Sequence, residues 1–493
     1  MRVSIKLTAL LLALLMLVSV FVSCDSTDNN VDDESTSGSD TVASTEVETE
    51  AEPKTKLPEM NWEGKEYRII GRLYSEENMT NFEVDRDEMP EDVVGLAVWN
   101  RNNALLQKYG IDVVGNLVEK PADEAKVFLE AGDDLYDLLL CQNNKMQPLA
   151  TAGHFVNINN LNYIDFEQDC WSDYVNSQLN FGGKLYYTSN KFMIQDKHRT
   201  WIVWYNRTLS DELKLGRLEQ EVFDGTWTMD RMIEISKTCV AEVDGQQGMS
   251  SGDRWGVILS NYNNISELCY GCGFRLSDMG SDGYPELVGA TDQMLSIIDK
   301  FFELVSDSET CFVQGIRLDG DKGSAGTIFR EGRAVVMTHA LSWLSNLYKV
   351  DFEYGVLPAP KYTEEQERYL SIPGISNSSL LAVPATVGDI AFAGFALEAI
   401  SEEAVDTSYK EYIDTKCKLQ VAYDEDMSKC LNIIFDSIVY DITYIDDYGG
   451  LCKSFEGMTA GMANTWSRNY DKYKKRAANE IKQIKEAYEK LEY

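Results

Sequence analysis

From Tyr67 onward the chain alternates two periodicities, and that alternation restricts the fold more than any single motif. "YRIIG" (67–71) reads as a short buried strand. Val94, Val98, Arg101, Leu105 and Tyr109 then recur at helical spacing, which predicts a helix over 91–109 with Gly110 placed to end it. Residues 111–118 read as a strand and 122–131 as a helix. "LYDLLLC" (135–141) reads as a strand buried on both faces, and 146–153 as a helix. A βαβαβ order implies a doubly wound α/β sheet with helices on both sides. Ligands of such sheets sit just beyond the carboxyl ends of the strands. That singles out Arg72 after the first strand and the Asn143–Asn144 pair after the third.

A second αβ region follows. "TWIVWY" (200–205) is a strand crowded with aromatic rings. Thr228 is placed to cap a helix from Met229 to about Val240. "RWGVILSNY" (254–262), a helix near 293–305, "FREGRAVVMTHALSWLSNL" (329–347) and "YGVLPAPKY" (354–362) continue the pattern. The chain ends in helices. The last of them puts Tyr473, Ala477, Ile481, Ile484, Tyr488 and Leu491 on one face, which reads as core packing.

The amino terminus is of another kind. Arg2 and Lys6 precede an almost unbroken apolar run over 7–22, shorter than the ~20 residues a spanning helix needs. Ser23 and Cys24 close it, and acidic and hydroxyl residues follow. The order resembles a bacterial lipoprotein signal, although Phe21 stands where such signals usually carry leucine. It implies a signal peptide over 1–23 and lipidation of Cys24. Two acyl chains anchor stably where one does not. Residues 24–60 are rich in Asp, Glu, Ser and Thr and poor in apolar residues. They cannot bury enough surface to offset their ordering entropy and read as a disordered acidic tether.

Of the 493 residues, 45 are basic and 81 acidic, a net charge of −36 that argues against nucleic acid as a partner. Nine cysteines besides Cys24 are scattered, and only Cys269 and Cys272 are close in sequence. A single CxxC is weak evidence for zinc and reads better as a local disulfide or two core residues. Three histidines are too few for a convincing metal cluster or triad. Phosphate-binding, serine-hydrolase and zinc-protease signatures are missing. Adjacent acids such as Asp446–Asp447 carry little weight as glycosidase carboxylates, which need a defined separation in space. "DGQQGMSSGD" (244–253) has the outline of a calcium loop, but Gln246 and Gly248 stand where ligands belong. No cofactor and no metal is expected.

Aromatic residues are more informative. Trp201, Trp204, Tyr205, Trp227, Trp255, Tyr262 and Trp343 fall near predicted strand ends or turns. Sugars present apolar CH faces edged by hydroxyls, and a site for them combines flat rings with a polar rim. Tyr205, Trp255 and Trp343 are the ring candidates.

"AVWNRNNALLQKYGI", "YDLLLCQNNKMQPLATAGHFVNINNL", "FDGTWTMDRM", "FREGRAVVMTHALSW" and "YGVLPAPKYTEEQERY" follow one another in an order that resembles the extracellular solute-binding proteins of ATP-driven sugar importers, the maltose-binding group among them. The resemblance covers the chain from about Glu63. It implies a two-lobed periplasmic-binding-protein-like fold of type II, with lobes joined by crossing strands near Trp204 and Pro373. One lobe would comprise 61–201 with 373–401, the other 202–372 with 402–493. It places Trp343 where the maltose-binding branch stacks a sugar, Asn143, Asn144 and Arg72 on loops lining the cleft, and Ser376 and Asn377 at the second crossing. It further implies a monomeric, non-enzymatic binder on the outer face of the bacterial cytoplasmic membrane. Its partners would be a small solute, an oligosaccharide, and an ABC permease. A surface glycoside hydrolase and a non-transport glycan adhesin are the alternatives.

Overall fold

Tyr67 and Ile69 on one face and Ile70 on the other face of the same strand are all fully buried, so the sheet that carries them is covered on both faces. The computed structural model describes residues 56–73, 84, 92–260, 263–316, 324–347, 349–375, 377–418 and 424–491. Cys24, the signal peptide, most of the tether and Ser376 lie outside them. The first sheet has the order β11-β3-β1-β2. β1 (Lys65–Arg72) runs parallel to β2 (Ile111–Val118) and to β3 (Leu138–Gln142). Between β1 and β2 lies helix α1 (Val93–Tyr109). The Asp92 side chain accepts from Gly95 N at its start, and Gly110, left-handed at φ 63°, ends it as the sequence predicts. A Cβ at Gly110 would sit 2.2 Å from Asn61 Oδ1, so the position admits glycine alone. α2 (Pro121–Ala131) leads into β3. α3 (Asn143–Thr151) follows at once. It starts three residues before the expected 146, with Pro148 inside it, a residue that prefers a first turn and so disguises the true start. Asn143 and Asn144 therefore open a helix instead of sitting on a loop.

The second sheet has the order β10-β4-β9-β5-β8. β4 (Trp201–Asn206) lies antiparallel to β9 (Ala334–Ala340) and to β10 (Tyr354–Leu357). β5 (Trp255–Leu259) is parallel to β9 and to β8 (Cys311–Val313). Every residue of β5 is buried, as a strand covered on both faces demands. Helix α4 (Met229–Thr238) is capped by Thr228, whose side chain accepts from Arg231 N. A hairpin of β6 (Ser277–Met279) and β7 (Pro285–Leu287) stands apart from both sheets. α5 (Asp292–Ser306) buries Met294, Ile297, Ile298 and Phe301 on one face. Cys269 and Cys272 are free, buried thiols, which decides for the core reading over the disulfide one.

The lobes join at Thr200 and Pro373, which form an antiparallel bridge, with Trp201 N donating to Ile372 O (3.0 Å). The first crossing thus precedes Trp204, which is mid-strand in the second lobe. A third segment, missed in the sequence, joins this layer: Val439 N donates to Ser371 O (2.8 Å), and Gln178 Nε2 of the first lobe donates to Ile438 O (3.3 Å). β11 (Ser379–Ala382) returns the chain to the first sheet, antiparallel to β3. The expected boundary at 401 falls inside helix α6 (Ile390–Ala404), and residues 405–418 still pack on α1. The last helix, α7 (Trp466–Tyr488), packs beside β7 and reaches α3 with its far end. Among the described residues no helix is long and apolar enough to cross a membrane.

Candidate functional site

Strand directions decide which side chains can meet. In the first sheet the carboxyl ends of β1 and β3 and the amino end of β11 share one edge, because Ser379 pairs with Gln142. That edge carries Arg72, Asn143, Asn144 and Asn377. Arg72 and Asn144 are half-buried, Asn143 is 1% exposed, and Asn377 is exposed. In the second sheet the carboxyl ends of β5 and β9 and the amino end of β4 share one edge, carrying Ser260, His339 and Trp201. Trp343 lies just beyond β9 on the 3-10 turn Leu341–Leu347.

Hydrogen bonds run unbroken from one edge to the other. Asn143 N donates to Ser378 O (3.2 Å), Ser378 N to Gly374 O (3.0 Å), and Gly374 N to Arg199 O (3.0 Å). Arg199 Nη1 then donates to Ser342 Oγ (3.1 Å), next to Trp343. Rings line the second edge: Trp201 and His339 lie 6.0 Å apart and His339 and Trp343 5.3 Å apart, tilted by about a third of a right angle. Burial pushes the His339 imidazole down to about 4, with the Arg199 guanidinium adding to the effect, so it is neutral at neutral pH.

Several polar atoms on these edges lack a partner, as do others elsewhere in the described residues, Ser408 Oγ and Thr459 Oγ1 among them. Asn143 Oδ1 and Nδ2, Asn144 Oδ1, Ser378 Oγ, Ser260 Oγ and His339 Nδ1 are buried and find no hydrogen-bond partner among the described residues. Each such group costs about 1–3 kcal/mol. Their partners come from outside the protein, as ordered water or as a ligand.

Two of the ring candidates do not belong here. Trp255 pairs with Ala334 at the start of β9, and Tyr205 pairs with Val336, so both sit toward the opposite edge of the sheet. Both are fully buried: Trp255 Nε1 donates to Ser250 O (3.1 Å), and the Tyr205 hydroxyl accepts from Arg207 Nε (3.3 Å). They are core residues, and nearness to a strand end in sequence did not say which end. Asp446 is the converse case. It was set aside as one of many adjacent acids, yet burial lifts its carboxyl to about 7 although part of its surface stays exposed. Tyr448 OH donates to it (3.0 Å), and the Lys145 ammonium on α3 acts against the rise. No local pattern in the sequence marks it.

No protein-family model and no curated protein matches the sequence. Among solved structures, a cyclo/maltodextrin-binding protein complexed with maltotetraose aligns over 88% of this chain and 100% of its own, at 14% identity and a TM-score of 0.53. An ABC substrate-binding protein from Listeria monocytogenes in complex with cycloalternan aligns over 86% and 99%, at 14% identity and 0.48. A maltose/maltodextrin-binding domain from Bdellovibrio bacteriovorus bound to maltotriose aligns over 85% and 98%, at 12% identity and 0.47. The chain has the two-lobed solute-binding fold. In such a fold the lobes close about a hinge, and ligand contacts from both sides complete the site. The two edges lie on either side of the junction at Thr200 and Pro373.

Proposed function

We propose that this protein captures an oligosaccharide between its lobes and hands it, unaltered, to an ABC permease. The observation that carries this reading is the set of buried, unpartnered amide and hydroxyl groups on both walls beside the half-buried ring of Trp343. A saccharide matches both parts. Its hydroxyls supply donors and acceptors to Asn143, Asn144, Ser378, Ser260 and His339, and its CH faces suit an indole. The shared fold with a maltodextrin-binding protein supports the same ligand class. Binding energy gained from both walls favours the closed arrangement over the open one. The lipoprotein-like signal ending at Cys24 would hold the domain at the outer face of the membrane, and the acidic segment after it would act as the tether that raises its concentration near the permease.

The test is a thermal-shift screen of purified protein across linear and cyclic oligosaccharides. A ligand at a hundredfold excess over its dissociation constant adds about 2.7 kcal/mol to stability. A panel that shifts nothing rejects the saccharide reading. Release of shorter products from a bound sugar replaces capture with hydrolysis.

A further inference from the structure

Gln147 lies one helical turn beyond Asn143 on α3 and is 3% exposed. Its Oε1 accepts from Tyr187 OH (2.6 Å) and from Tyr488 OH (3.3 Å). An amide oxygen has two lone pairs, so that end is saturated and the orientation of the amide is set. Its Nε2 has no hydrogen-bond partner among the described residues. A donor is therefore held in a fixed direction with nothing to receive it, one turn from the buried amide of Asn143.

The two hydroxyls come from different places. Tyr187 belongs to the first lobe, in the segment after the Phe181–Lys184 turn. Tyr488 ends α7, whose other end is rooted in the second lobe, where Trp466 Nε1 donates to Gly289 O (2.5 Å) and its ring packs on Phe455. Tyr488 itself is fully buried, with its ring 5.7 Å from Phe181 and 5.1 Å from Tyr186. Lys184 Nζ fastens the helix end by donating to Tyr488 O (2.6 Å) and to Leu491 O. One of the two hydroxyls that hold the Gln147 amide thus arrives on a helix from the second lobe.

We propose that Gln147 is a specificity-determining donor of the ligand site and that Tyr488 is the positioning residue that aims it. The proposal rests on the saccharide reading above and deepens it. A fixed donor demands an acceptor at one place on the ligand, such as a hydroxyl, ring or glycosidic oxygen. Sugars whose linkage moves that oxygen leave the donor unpaired and are discriminated against. The C-terminal helix is then part of the binding machinery and not merely packing.

The experiment is calorimetric titration of the full mature chain with maltotetraose, cellotetraose and xylotetraose. Wild type is compared with Tyr488→Phe, Gln147→Leu and the double variant. Tyr488→Phe keeps the ring among Phe181 and Tyr186 and removes only the hydroxyl. Gln147→Leu should weaken the preferred tetrasaccharide about tenfold and narrow its margin over the others. Tyr488→Phe should weaken it about threefold, and the double variant should be no weaker than Gln147→Leu alone. A purely structural role lowers the melting temperature without narrowing that margin. If Gln147→Leu fails to fold, Gln147→Met supplies the same loss of the donor at similar length. Wild-type affinity in Tyr488→Phe, or losses that simply add in the double variant, overturns the proposal. A wild type that binds none of the three sugars overturns the saccharide reading and this proposal with it.

Discussion

Two polar regions of the second lobe differ in one respect. The turn 244–253, which has the outline of a calcium loop, is closed on itself. Asp253 is fully buried, and its carboxylate accepts from Val243 N (2.6 Å), Asp244 N (3.1 Å) and Ser250 N (2.8 Å). Asp244 Oδ2 accepts from Ser250 Oγ (2.6 Å). The turn's own amides and hydroxyl fill the places an ion would otherwise take. On the interlobe edge, Ser260 Oγ and His339 Nδ1 are buried with no such partner. A polar group that is satisfied from within serves the fold. One left wanting takes its partner from outside the protein.

The largest effect expected from this contrast is on the satisfied side. Asp253→Ala removes the shared acceptor of three part-buried amides and should lower unfolding stability by about 2 kcal/mol in urea titration, with saccharide affinity unchanged. Burial alone would raise the Asp253 pKa, but the three amides outweigh it and hold the carboxyl below its ordinary value. Its stabilisation is therefore complete above about pH 4 and lost as the pH falls through the folded pKa. Loss of sugar binding in this variant at temperatures where it stays folded would erase the distinction between the two regions.

On the other side the order of effects reverses. Trp343→Ala should weaken saccharide binding by about thirtyfold or more under the proposed function, since aromatic anchors carry much of the energy of a binding site. The melting temperature should change far less than for Asp253→Ala. Asn143→Leu is a finer test. It removes two unpartnered polar atoms from a buried position, so the ligand-free protein should melt about 2 °C higher while affinity drops about tenfold. A variant that melts lower and binds as well as wild type would show that Asn143 serves the fold.

Much of the frame was legible because it rests on local rules. Gly110 ends α1 and Thr228 caps α4 through contacts within a few residues. β2 runs over the residues its pattern predicts. Arg72, Asn143 and Asn144 lie at the carboxyl ends of β1 and β3, where the βαβαβ pattern alone puts them. Tyr205 and Trp255 were misplaced for a related reason: strand pairing, which decides the edge each residue faces, is set by partners far away in sequence. Gln147 and Asp446 could not be found at all. Gln147 owes its character to Tyr187 and Tyr488, dozens to hundreds of positions away, and Asp446 owes its raised pKa to burial, which only the tertiary packing decides.

The smallest expected effect separates two titrating groups, Asp446 and His339. Asp446 is faced by Lys145, Tyr448, Tyr187 and Tyr488, and its folded pKa of about 7 exceeds the unfolded value near 4. Between those values the folded state keeps a proton that the unfolded state releases, so this group makes stability fall as pH rises. His339 acts in the opposite sense. Its folded pKa of about 4 lies below the unfolded value near 6.5, so over that window its contribution grows with pH. In wild type the two slopes oppose each other. Asp446→Asn removes one of them, and stability should then climb between pH 4.5 and 6.5 by about 1 kcal/mol more than in wild type, a modest figure because both groups keep solvent contact. Melting temperature against pH for the two proteins reads this directly. Superimposable profiles would mean that Asp446 is solvated like any surface acid.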